Sequence, residues 1–203
     1  MTVSLGPLTS ADVRPLARLH GAAFPGFFLS SLGEPFLVQF YRGFLTDESA
    51  VTVVARAEDG TVLGAVVGTT EPAGFFGRLV RSRWPGFALA SCRAVLRNPK
   101  ALPRLLLAVR YRGPDDTASG DALLSSICVD PTAQGAGVGR QLIAAWTDRI
   151  AARGADRAFL TTDADDNDAV NHFYHEGGWT LAQTYRTREG RLMNRYTTKL
   201  VSL

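Results

Sequence analysis

The chain has 203 residues with 46% hydrophobic and 20% charged residues, close to ordinary globular values, which excludes global disorder and a collagen-like fibre. That length suits one domain able to bury a core without staples, and two cysteines, Cys92 and Cys128, make neither a disulfide framework nor a zinc site. The net charge of +3 hides an asymmetry: residues 72–113 hold nine basic residues and no Asp or Glu, leaving an acidic remainder.

In chain order, Thr2–Leu5 reads as a short strand. Thr9-Ser-Ala-Asp12 reads as a helix start, followed by Val13, Leu16, Ala17 and His20 at helical spacing. A second helix begins near Pro35, with Phe36, Leu37, Phe40, Tyr41 and Phe44 on one face. Val51–Arg56 and Thr61–Thr70 are strands around the turn signal Glu58-Asp59-Gly60. The basic insertion, residues 72–116, is expected to contain helices at Phe87–Arg97 and Leu102–Arg112.

Ala122–Val129 is a strand stopped by Pro131. The glycine-rich stretch Gln134–Arg140 then leads into a helix carrying Leu142, Ile143, Trp146 and Ile150, with Gly154 at its C-cap. Arg157–Thr162 is a strand. Asn167–Glu176 is a short helix with Ala169, Val170, Phe173 and Tyr174 inward, closed by Gly177, and Thr180–Thr187 and Leu192–Leu200 form a last hairpin. The order β α α β β (insertion) β α β α β β gives a single mixed α/β (α+β) domain over 1–203.

The chemistry concentrates at Gln134-Gly-Ala-Gly-Val-Gly-Arg140, between a strand and a helix. Glycines let backbone approach an anion closely, and the unpaired amides and dipole of a helix start favour negative charge, which suits a pyrophosphate. A Walker loop is excluded because no Gly-Lys-Ser/Thr follows. The dinucleotide pattern has different glycine spacing and belongs at a first strand.

Ser126-Ile-Cys-Val-Asp-Pro131 followed by Gln134-x-x-Gly137-x-Gly139 resembles the acyl-CoA-binding motif of the GNAT superfamily of N-acetyltransferases. Asn167-x-Ala169-x-x-x-Phe173-Tyr174, then Gly177-Gly-Trp179, is similar to a second segment of that family, although the Ala comes one place early and Trp179 replaces the usual Phe.

The resemblance implies a mostly antiparallel mixed sheet flanked by helices, with the basic helical insertion between the third and fourth strands. It implies acetyl-CoA as acyl donor and a primary amine as acceptor. The backbone of Ile127 and Val129 would pair with the pantetheine arm. Gln134 belongs to the motif, and the amides of Gly135, Ala136, Gly137, Val138, Gly139 and Arg140 would hold the pyrophosphate. Asn167 and Asn171 would contact the donor, Tyr174 would protonate the departing thiolate, and Glu71 is the carboxylate placed by analogy as general base.

Cys128 reads as a small core residue rather than an acyl carrier. His172 and His175 lack further ligands for a metal. The expected acceptor is a small molecule such as an amino sugar. The alternatives are a protein N-terminus or lysine, and a non-catalytic acyl-CoA-binding or membrane-surface protein. Nucleic acid is not expected, because neither a known module nor an interleaved aromatic stripe is present. A membrane surface is the weaker expectation for the insertion, behind a lid over the acceptor and a partner surface; the chain is expected to be a monomer or homodimer. With no apolar run near 20 residues and no basic-then-apolar start, a cytoplasmic location is expected.

Overall fold

The β-branched runs of the sequence assemble into one seven-stranded sheet in the computed structural model, which describes residues 2–97, 121–187 and 190–200. Its strands are β1 (Ser4–Gly6), β2 (Ala50–Arg56), β3 (Val62–Thr69), β4 (Asp121–Val129), β5 (Arg157–Asp163), β6 (Thr180–Arg186) and β7 (Leu192–Lys199). The spatial order is β1-β2-β3-β4-β5-β7-β6. Only β4 and β5 run parallel; every other neighbouring pair is antiparallel.

Helices cover both faces. On one side lie α1 (Val13–Ala23), the short α2 (Phe28–Ser31), α3 (Glu34–Phe44), α4 (Phe75–Ser82) and α5 (Trp84–Arg97). Their apolar faces pack Leu16, Leu37, Tyr41, Phe44, Phe75 and Phe87 into one cluster with Cys128 of β4. On the other side α6 (Val138–Ala151) and α7 (Asp168–Glu176) gather Leu142, Trp146, Ile150, Tyr174, Trp179 and Tyr196. All eight residues of β3 are buried, as expected of a strand covered on both faces. The Trp146 indole N–H, deep in the second cluster, donates to the Val51 carbonyl at 3.0 Å, so its burial leaves no orphaned donor.

The start of α1 departs from a simple cap. Asp12 accepts from the Thr9 amide and hydroxyl at 2.8 and 2.6 Å and also receives the Arg56 Nε at 2.9 Å. One carboxylate therefore fastens the helix entry to the end of β2.

The insertion differs from expectation at its start. Helix α4 was not anticipated, because Gly77 and the arginines mask the apolar pair Phe75 and Leu79 that it buries. Helix α5 begins three residues earlier than expected, with Pro85 tolerated in its first turn. The expected helix Leu102–Arg112 lies outside the described residues. In α7 the inward face is also corrected: Ala169 and Val170 are exposed, while Asn171 and Tyr174 turn inward. The polar anchors of this helix, described below, outweigh its apolar residues in setting which face meets the sheet.

Candidate active site

Strand β4 and its neighbour β5 pair through three positions only, Asp121↔Arg157, Ala122↔Ala158 and Leu123↔Phe159. Beyond them β5 continues along β7 as far as Asp163, while β4 continues along β3 as far as Val129. The two strands thus part, and a wedge opens in mid-sheet.

A bulge shapes the edge of that wedge. Opposite Val67 and Gly68 of β3 stand Ser126 and Leu124, so Ser125 is an extra residue. Its presence explains why Leu124 and Ile127, three apart, both face the α6–α7 cluster, which an unbroken strand forbids. At the far end the Asp130 amide donates to the Leu63 carbonyl at 2.8 Å. Alternation then points the backbone of Cys128 at β3 and turns the N–H and C=O of Ile127 and Val129 the other way, toward the wedge.

The turn after β4 is built locally. Asp130 accepts from the Thr132 amide and hydroxyl at 2.8 and 2.6 Å; these bonds hold its carboxyl below the usual carboxylate range and close a short 3-10 turn at Pro131–Ala133. Gln134 is extended, and Gly135 and Gly137 follow with φ of +81° and +78°. That left-handed backbone strains any other residue. No atom lies within 4 Å of where a Cβ would stand on either glycine, so the loop is an open cradle. Gly137 caps α6, whose first turn carries no acidic residue. The amides of Val138, Gly139 and Arg140 lie in that first turn, where a helix supplies no acceptor of its own, at the positive end of the dipole.

Three elements converge here. A Cβ on Gly139 would stand 3.3 Å from Cζ of Phe173 and 3.7 Å from Cγ2 of Val129, so α6, α7 and the end of β4 touch at one point. Tyr174, next to Phe173, is buried against the rings of Trp179 and Tyr196. Burial pushes its phenol well above the ordinary value, so it stays protonated at neutral pH. From Arg140 a groove of about 610 Å³ runs between α6 and α7, past Ile143, Thr147 and Asp148 to Lys199.

The two asparagines have defined partners. Asn167 donates from Nδ2 to the Thr162 hydroxyl at 2.8 Å and the Asp163 carbonyl at 3.0 Å. Asn171 donates to the Asp163 and Asn167 carbonyls, and its Oδ1 accepts from Asn194 at 3.0 Å and Tyr196 at 3.1 Å. All four hydrogen-bonding positions of the Asn171 amide are filled by the protein. Its side chain pins α7 to β5 and β7, a role that sequence reading did not assign.

Glu71 is not brought to this place. Thr69 pairs with Leu123, at the opposite end of β4 from Val129, and Glu71 lies beyond it. Six strand residues separate those ends, roughly 20 Å. The Glu71 side chain is 70% exposed and sits 3.5 Å from Arg78, which also binds Asp47 at 2.9 Å. Antiparallel pairing of β3 with β4 thus sets Glu71 past the Leu123 end of β4, on the far side of the bulge from the glycine loop.

Burial pushes the Cys128 thiol up to about 11, which suits a core residue and not a nucleophile. His172 and His175 are exposed, and the described residues contain no cluster of three or more groups able to hold a metal.

The model of the Acetyltransferase (GNAT) family matches residues 15–179. The chain belongs to this family. It is an acyl-CoA-dependent N-acetyltransferase with acetyl-CoA as donor. Solved structures share the fold. A GNAT-family protein from Desulfovibrio desulfuricans superposes with a TM-score of 0.65 at 16% identity, covering 98% of this chain and 100% of the other. The protein yncA from Salmonella typhimurium, solved with its cofactor acetyl-CoA, gives 0.64 at 13% identity, with 100% and 96% covered. The ribosomal-protein-S18-alanine N-acetyltransferase from Escherichia coli gives 0.58 at 16% identity, with 98% and 94% covered. A search of curated proteins returns no significant match.

Proposed function

We propose that this acetyltransferase acts on the primary amine of a small molecule, by direct attack in a ternary complex. The observation that carries the donor half is the wedge: a strand edge with the backbone groups of Ile127 and Val129 turned away from β3, ending on the glycine cradle Gly135–Arg140. An extended amide-containing arm would add to that edge as a partial strand. A pyrophosphate would lie on the cradle amides, with Arg140 opening the groove toward the nucleotide end.

Acetyl-CoA supplies the acyl group as a thioester. The protein's part is to hold the thioester at the bulge and to manage protons. As the amine forms its C–N bond and the C–S bond breaks, Tyr174 would give its hydroxyl proton to the departing sulfur, and the nitrogen would lose one to water. The phenol is protonated at neutral pH, so the proton is present to be given. Among the described residues none donates to Asn167 Oδ1, which would take a donor amide, whereas Asn171 acts by positioning α7.

The small-molecule reading rests on the insertion. Helices α4 and α5 add bulk against α3, with Phe36 and Phe87 rings 4.9 Å apart. By the family resemblance this is the acceptor side. Such bulk favours an enclosed site over an open peptide groove.

The test is calorimetric titration with acetyl-CoA and NAD, followed by a free-thiol assay over small amines and peptide N-termini. Micromolar binding of acetyl-CoA alone, lost in Gly137→Glu, with turnover on small amines is the expected result. Turnover on peptides only would overturn the acceptor class.

A further inference from the structure

Helix α5 is apolar on two opposite faces. Its inner face, Phe87, Ala90 and Ala94, is buried. On its outer face Pro85, Leu89, Cys92 and Leu96 recur at intervals of four, three and four, which aligns them in one stripe, and all four are exposed. Leu89 is 57% and Leu96 84% exposed, and at the head of the helix Trp84 is 64% exposed. An exposed apolar stripe of this length on a helix is ordinarily covered by something.

The charge of this segment of the sequence says what fits the stripe. Residues 72–113 carry nine basic side chains and no carboxylate. Arg78 is engaged by Asp47 and Glu71, but Arg81, at the Trp84 end, is exposed and makes no ion pair among the described residues. Arg83 adjoins Trp84 in sequence and likewise makes no such pair. A convex apolar ridge with an indole and arginines at one end needs a partner that is anionic at its surface, apolar beneath, and deformable around a ridge. An anionic bilayer has those three properties.

We propose that the outer face of α5 docks on an anionic lipid surface, with Leu89, Cys92 and Leu96 entering the interface, Trp84 at the headgroup level, and Arg81 and Arg83 on the phosphates. The helix would lie in the plane of the membrane; among the described residues no helix is long and apolar enough to cross one.

Cys92 offers a direct probe, because the other cysteine, Cys128, is buried. The full chain, carrying an environment-sensitive dye on Cys92, is mixed with phosphatidylcholine vesicles or with vesicles also containing phosphatidylglycerol. The expected result is co-sedimentation and a blue shift with the anionic vesicles only, weakened by salt. Arg81→Ser/Arg83→Ser should lower the partition coefficient roughly thirtyfold, at about a tenfold change per 1.4 kcal/mol and 1 kcal/mol per base. Leu89→Ser/Leu96→Ser should abolish the blue shift, while both variants keep wild-type acetyl-CoA binding as proof of fold. Absence of vesicle binding, or binding unchanged by the leucine pair, would overturn the proposal. So would a dye shielded without lipid. If that shielded chain is a dimer dissolved by the leucine pair, a second copy covers the face; if it is a monomer, another part of the same chain does.

Discussion

Tyr174 and Asn171 share a helix, yet they illustrate two kinds of residue. Tyr174 has one titratable group and packs against the rings of Phe173, Trp179 and Tyr196, so its replacement by Phe removes a proton donor and keeps the ring. Tyr174→Phe should lower kcat by roughly 100-fold or more while the Kd for acetyl-CoA stays within about twofold. Steady-state rates beside calorimetry decide this, and unchanged turnover would end the general-acid role. Asn171 was legible as a motif residue but not as a pin, because its partners Asn194 and Tyr196 come from a hairpin some twenty residues downstream. The glycines were the most legible residues of all. Positive φ at Gly135 and Gly137 is a backbone demand that few other residues meet, so their spacing marks the cradle in the sequence itself.

At the scale of elements, the strands and the major helices were readable from alternation and period, while register was not. Glu71 is placed in the sequence by family analogy alone, with nothing to say which end of the cofactor strand it meets. Only the pairing Thr69↔Leu123 shows that β3 ends far from the loop. Helix α4 escaped for a different reason: its two buried side chains are too few to form a periodic signal against its arginines.

The packing of α1 on α3 carries its own titration. His20 of α1 is buried and shares a 2.7 Å hydrogen bond between Nδ1 and the Tyr41 hydroxyl of α3. Burial lowers its pKa from 6.5 to about 4. Between those values the unfolded chain binds a proton that the folded chain refuses. Stability is therefore full above about pH 6.5 and falls as pH drops toward 4, by up to about 3 kcal/mol. Thermal melts from pH 7 to 4.5 should show that decline in the wild type and a flatter course in His20→Gln. The carboxyls of Asp12 and Asp47 are held below their ordinary 3.8 and act at lower pH: burial raises both, but arginine and hydroxyl bonds more than offset it. Parallel slopes for the two proteins would refute the assignment to His20.

For the whole molecule, the resemblance visible in two short motifs extends over residues 15–179 in the family model, and the fold likeness over 98% of the chain. The acceptor is the part the sequence left dark. Side chains from α1 to α5 meet only after folding, and none of them forms a motif that names an acceptor. Donor binding has a global readout even so. Acetyl-CoA at a hundred times its Kd should stabilise the fold by about 2.7 kcal/mol and raise Tm by roughly 5–10 °C, and NAD should leave it unmoved. Equal shifts with both nucleotides would argue against a specific site.

The three-residue pairing of β4 with β5 has a mechanical meaning. It is the seam between a half-sheet built from β1 to β4 and one built from β5 to β7, and it is the shortest ladder between any two long strands of the molecule. Laid along that seam, the acyl donor would serve as mortar as well as reagent. The protein would be stiffest across its middle while loaded, and each product departure would return it to two leaves joined at one corner.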